Sequence, residues 1–149
     1  MCYVHAVANP LTWRSFIGRI GGLRIGSLLD VGTGDGAFPL WVHRRFPNAD
    51  PLMGIDVVSP NGNQRTGRPD DVRVHDATDL PFKSKVFDWV TAFNLLEDLL
   101  PDEVDPVLKD FERVAVKGMV LLVDPEKVQP DVSSFGRVEK SGGFYIVRF

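Results

Sequence analysis

The sequence has one cysteine, Cys2, and only three histidines. A single thiol excludes an intrachain disulfide and a cysteine-rich metal site, and it suits a reducing compartment. No apolar run approaches the roughly 18 residues that a membrane-spanning helix needs. The first residues lack both the basic segment and the continuous apolar core of a secretory signal. The expectation is a cytoplasmic protein that engages no membrane. Positive charge is not in excess either: 17 Lys and Arg face 20 Asp and Glu, a net charge of −3. That balance argues against nucleic-acid binding driven by charge alone. Residues 1–50 hold five Arg against three Asp, so the negative excess lies in the remainder. Much of it clusters at Glu97, Asp98, Asp102, Glu103, Asp105, Asp110 and Glu112.

The 149 residues are enough for one domain with a real core, expected over residues 1–149. Pro10 suits the start of a helix over Leu11–Ile20, which Gly21-Gly22 ends. The nearly continuous apolar run Ile25–Val31 reads as a strand buried on both faces. A helix follows from Gly36 to Arg45, with Pro39 tolerated only in its first turn. Further strands are expected at Leu52–Val57, Val72–His75, Val86–Phe93 and Met119–Val123. Ser59–Asp71 reads as a polar loop, and Glu97–Ala115 as an acidic amphipathic helix with a break at Pro101. Phe135–Lys140 and Phe144–Phe149 flank Ser141-Gly142-Gly143 as an antiparallel hairpin. Strand–helix alternation ending in a hairpin predicts an α/β fold, doubly wound, with a mostly parallel sheet and an antiparallel C-terminal hairpin.

The richest stretch is Leu28-Leu29-Asp30-Val31-Gly32-Thr33-Gly34-Asp35-Gly36-Ala37-Phe38. An apolar strand runs into a glycine loop and then a helix N-terminus, where backbone N–H groups and the helix dipole favour a polar ligand. In doubly wound sheets ligands bind beyond the carboxyl ends of the strands. Those ends carry Asp30, Asp56, Asp76, Asn94 and Asp124. Each alone is equally a helix cap or turn former, and the set of five is what points to a ligand. Asp56 lies 22 residues after Gly34, where a carboxylate accepts from ribose hydroxyls. Gly32-x-Gly34-x-x-Ala37 also satisfies the dinucleotide pattern. Asp30, two residues before the first glycine, would repel a pyrophosphate and suit a cation. Asp76, Asp79 and Leu80-Pro81-Phe82 add an acidic niche of adenine size.

Asp30-Val31-Gly32-Thr33-Gly34-Asp35-Gly36 resembles the first motif of the class I, seven-stranded S-adenosylmethionine-dependent methyltransferases. Asp56 matches that family's acidic residue after the second strand. Asp76–Phe82 with Phe87-Asp88 resembles its third and fourth motif region, and Arg113–Gly118 the segment leading into the fifth strand. The resemblance covers roughly residues 25–125. It implies S-adenosylmethionine as cofactor and S-adenosylhomocysteine as product. It implies that Asp30 holds the methionine amino group, and that the backbone of Gly32, Thr33, Gly34 and Gly36 packs against methionine and ribose. Asp56, with Val57 beside it, would take the ribose hydroxyls. Asp76 and the Ala77 N–H would meet the adenine, and Asn94 the methionine end or the acceptor.

Relative to that family, the helices after the second and fifth strands are reduced, since Ser59–Asp71 is polar and Glu126–Ser134 is short and broken by Pro130. No inserted lid is visible, which favours a large acceptor docking over an open site. The acceptor stays open between protein, RNA and small molecule, and no metal is expected. No convincing general base emerges: His75 beside Asp76 suits packing at a strand end, and His43 lies in the helix away from the site. Two other classes stand beside the methyltransferase. One is a non-catalytic cofactor-binding or scaffold subunit, with a homodimer or partner subunit docked where helices are reduced. The other is a nicotinamide-dependent oxidoreductase, which Asp30 and the hairpin disfavour.

Overall fold

The computed structural model describes residues 10–20, 25–57 and 72–149. They form helices α1 (Pro10–Ile20), α2 (Ala37–Arg45) and α3 (Pro101–Val114). The strands are β1 (Leu28–Val31), β2 (Leu52–Asp56), β3 (Val72–Val74), β4 (Phe87–Phe93), β5 (Ala115–Leu122), β6 (Arg137–Ser141) and β7 (Phe144–Arg148). Among the described residues these make one seven-stranded sheet in the order β3-β2-β1-β4-β5-β7-β6. The pairs from β3 through β5 are parallel, whereas β7 runs antiparallel to both β5 and β6. The expected α/β architecture with its terminal hairpin is the observed one.

Period-two alternation in the strands separates two apolar layers. On one face Leu28, Trp89, Val120 and Ile146 pack under Phe16 and Ile17 of α1 and Phe38 and Val42 of α2. Phe38 meets Phe93 edge-on at 4.9 Å between centroids. On the other face Leu29, Val90, Met119 and Leu121 pack under Val107, Leu108, Phe111 and Val114 of α3, spaced as one helical stripe.

The chain builds β1, β2 and β3 outward in one direction, then returns across β1 to place β4 on its other side. That reversal opens a crevice beyond the carboxyl ends of β1 and β4.

Several expected boundaries shift. β1 starts at Leu28 rather than Ile25, and β5 starts at Ala115 rather than Met119. Glu97 does not start the α-helix as expected. Leu96–Asp98 is a short 3₁₀ turn, and α3 begins at Pro101, whose fixed φ and missing N–H suit a first helical position. The segment between β5 and β6 holds turns and no helix, as expected from Pro130. The expected loop Ser59–Asp71, the Gly21-Gly22 stop, Cys2 and His5 lie outside the described residues.

Candidate functional site

The glycine loop is tied down before it can meet a ligand. The N–H groups of Gly32 and Thr33 both donate to the Ile55 carbonyl, at 2.8 and 3.0 Å. Gly34 N–H donates to Asp56 Oδ2 at 2.8 Å, and Gly36 N–H to the Thr33 carbonyl at 3.1 Å. Gly32 sits at φ +75, and a Cβ there would come within 3.0 Å of the Leu95 side chain. Beneath the loop, a Cβ at Gly54 would lie 2.6 Å from Thr33 Cγ2, so β2 must carry glycine where the loop crosses it.

Beside this loop is a cavity of about 270 Å³, walled by Gly32, Asp56, Val57, Asp76, Ala77, Asn94, Leu95, Asp98, Leu99 and Glu103. Strand ends supply its first five residues, since β1 gives way to Gly32, β2 ends at Asp56 and β3 is followed by Asp76. The turn after β4 and the start of α3 close the other side. Four of the ten wall residues carry carboxylates. Asp76 is exposed, and its Oδ1 accepts from the Thr78 N–H at 2.9 Å and the Thr78 hydroxyl at 2.8 Å. Those two bonds favour the ionised form and hold its pKa below the usual carboxylate range. Among the described residues no group of three His, Cys, Asp or Glu is disposed to hold a metal ion. The arrangement is a small anionic recess that suits an organic cation.

Asp30 is placed differently. It is the third residue of β1, flanked by Gly54 of β2 and Thr91 of β4, and only 3% exposed. Thr91 Oγ1 donates to its Oδ1 at 2.7 Å. Burial raises its pKa to about 7, against the lowering effect of the Thr91 bond, and the Asp56 charge adds a smaller upward push. Asp30 therefore titrates near neutrality just below the loop.

Of the expected site residues, the structure brings Gly32, Asp56, Val57, Asp76, Ala77 and Asn94 together around one cavity. Asp30, Thr33, Gly34 and Gly36 stand outside its walls: Asp30 and Thr33 are buried, Gly34 is exposed, and Gly36 precedes α2 with φ +83. Of the expected niche of Asp76, Asp79 and Leu80-Pro81-Phe82, only Asp76 lines this cavity. Leu80 is buried in the core, and Arg113 Nη1 donates to the Phe82 carbonyl at 2.6 Å, which pins the loop to α3. Asp79 instead borders a separate open recess with Lys109 and Arg113. Asp124 accepts from the Glu126 N–H at 3.0 Å and caps the turn after β5. Sequence reasoning missed Leu95, Asp98, Leu99 and Glu103 as walls. The acidic cluster was the available signal, but a helix starting at Glu97 hid which way its members face.

Residues 29–123, well over half of the chain, match the family described as "Methyltransferase domain". The chain belongs to this family, the class I S-adenosylmethionine-dependent methyltransferases. Over 119 residues it is 31% identical to the ubiquinone/menaquinone biosynthesis C-methyltransferase UbiE of Desulfotalea psychrophila, covering 77% of this chain and 48% of that protein. It thus spans about half the length of the curated relative that it matches. A SAM-dependent methyltransferase from Aquifex aeolicus aligns with a TM-score of 0.64 at 16% identity, over 94% of this chain and 97% of that one. A Pyrococcus horikoshii OT3 protein gives a TM-score of 0.65 at 17% identity, over 94% and 92%. At such identities these structures speak for the fold.

Proposed function

We propose that this methyltransferase domain binds S-adenosylmethionine in the acidic cavity and transfers its methyl group to an acceptor arriving beside Asn94. The observation that carries this reading is the set of four carboxylate residues, Asp56, Asp76, Asp98 and Glu103, around a recess floored by Gly32. Like charges would oppose a pyrophosphate there, which argues against a nicotinamide dinucleotide, whereas a cationic adenosine cofactor gains from them. In this reading Asp56 takes the ribose hydroxyls, Asp76 and the Ala77 N–H meet the adenine, and Val57 covers its face. Asp30 offers its carboxylate to the methionine amino group, directly or through water, once that cation drives off its proton.

When bound, the cofactor supplies a methyl group on a sulfonium, open to in-line attack by a nucleophile. The residues of this chain hold and orient: Thr78 fixes the Asp76 carboxylate, Gly34 fixes the Asp56 carboxylate, and Leu95 and Leu99 supply apolar wall.

Calorimetry with S-adenosylmethionine, S-adenosylhomocysteine and NAD tests the reading. Both sulfur compounds should bind and NAD should not, and Asp56→Ala should weaken both by about tenfold or more. Binding of neither sulfur compound sinks the proposal. Transfer of a tritiated methyl group into fractionated extract then separates catalysis from a non-catalytic cofactor-binding subunit.

A further inference from the structure

The sheet separates charge as well as apolar layers. α1 and α2, which cover one face, contain Arg14, Arg19, Arg44 and Arg45 and no Asp or Glu. α3, on the opposite face, carries Asp102, Glu103, Asp105, Asp110 and Glu112. Its two cations, Lys109 and Arg113, are paired to Asp105 and Asp110. The net charge of −3 averages over this division.

The hairpin extends the basic face. Glu139 stands opposite Ile146, which packs under α1, and strand alternation puts Arg137 and Arg148 on that same side. Arg148 Nη2 donates to the Arg19 carbonyl at 2.7 Å, and Glu139 lies 3.6 Å from Arg19 and 3.4 Å from Arg148. Lys140 lies over Tyr145, a residue of the other layer. Six arginines from α1, α2 and this side of the hairpin thus stand with one carboxylate, Glu139, and no lysine. All are exposed except the half-buried Arg148.

Guanidinium groups bind phosphate oxygens through paired hydrogen bonds, which an ammonium does not match. Arg45 also lies over the half-buried Trp41 ring at 5.4 Å, a flat stack against which an unpaired base can rest. An anionic bilayer fits less well. Among the described residues the exposed large apolar side chains are Val57, Val86, Leu100, Val116 and Val138, and neither helix holds one to insert. Arg44 and Arg45 end α2, about 13 Å along its axis from the glycine loop, so a chain held there leaves the acidic cavity open.

We infer that the face formed by α1, α2 and the C-terminal hairpin docks the phosphate backbone of an RNA, with an unpaired base against Arg45 and Trp41. The inference goes beyond the methyltransferase reading and does not depend on it.

The test is fluorescence anisotropy on the full chain, without cofactor, using a labelled RNA stem-loop with an unpaired loop. At about 50 mM salt it should bind with a Kd on the order of micromolar, and about tenfold more weakly at about 200 mM. Arg44→Glu with Arg45→Glu should weaken binding by about tenfold or more. Lys83→Glu with Lys127→Glu makes the same change of net charge away from this face and should alter binding by less than about twofold. Circular dichroism checks that both proteins fold. If the reversed arginine pair does not, Arg14→Gln with Arg44→Gln replaces it and should cost about threefold. No RNA binding at the lower salt, or equal losses from the arginine and lysine pairs, overturns the inference. So does equal or tighter binding of a plain DNA duplex, of phosphatidylglycerol vesicles or of polyglutamate, since each gives the face to a different anion.

Discussion

Asp30 and Asp76 both stand toward the carboxyl side of the sheet, and their surroundings push them in opposite directions. Asp30 lies on the central strand between β2 and β4, loses its water, and has its pKa raised to about 7. Asp76 lies beyond the edge strand β3, keeps its water, and is lowered by two hydrogen bonds from Thr78. For a carboxylate at a strand end, position in the sheet decides whether burial or hydrogen bonding wins. The outer carboxylate is held ionised, and the inner one holds its proton up to about pH 7.

Removing the inner acid should break this contrast most visibly. Because the folded pKa of Asp30 exceeds its unfolded value, the native state binds more protons between roughly pH 4 and pH 7. Its contribution to stability is thus present below the unfolded pKa and lost as pH rises through about 7. Asp30→Asn should therefore gain on the parent by on the order of 2–3 kcal/mol between about pH 5 and about pH 8, read from denaturant unfolding at both. A difference independent of pH would show that Asp30 is charged in the fold throughout.

Packing around the inner acid can be probed next. Gly54→Ala should cost about 1–3 kcal/mol, because the new Cβ meets Thr33 in a space without slack. Thr91→Val should cost about 1 kcal/mol and push the Asp30 pKa further up, visible as a later carboxyl transition in NMR titration. If Asp30 takes the methionine ammonium, S-adenosylhomocysteine should bind more tightly as pH rises toward 7, and Asp30→Asn should flatten that profile. At the outer acid the effect should be smallest. Thr78→Ala should return the Asp76 pKa toward the ordinary carboxylate range and change stability by less than about 0.5 kcal/mol.

Much of the cavity could be read from the chain because its parts sit in local patterns. The Gly32–Gly36 loop after an apolar strand, and Asp56 and Asp76 at the ends of two more, are each visible within a dozen residues. The errors came where a distant residue intervened. Leu80-Pro81-Phe82 has the polarity pattern of a site loop, but Arg113, 31 residues beyond Phe82, donates to the Leu80 and Phe82 carbonyls and ties the loop to α3, with Leu80 buried and Pro81 exposed. Asp98 and Glu103 were legible as acid but not as walls, since a 3₁₀ turn ending before Pro101 changes the direction of both.

The sequence by itself determined the order of strands and helices, the terminal hairpin and the glycine loop with its following acids. Hydrophobic periodicity and turn chemistry act over a few residues, and so they are written locally. Tertiary structure alone decided that Asp30 is covered by Thr91, 61 residues away, and that Asn94, a wall of the acidic cavity, meets Glu97. Desolvation and cavity shape are sums over every neighbour in space, and most of those neighbours are remote along the chain.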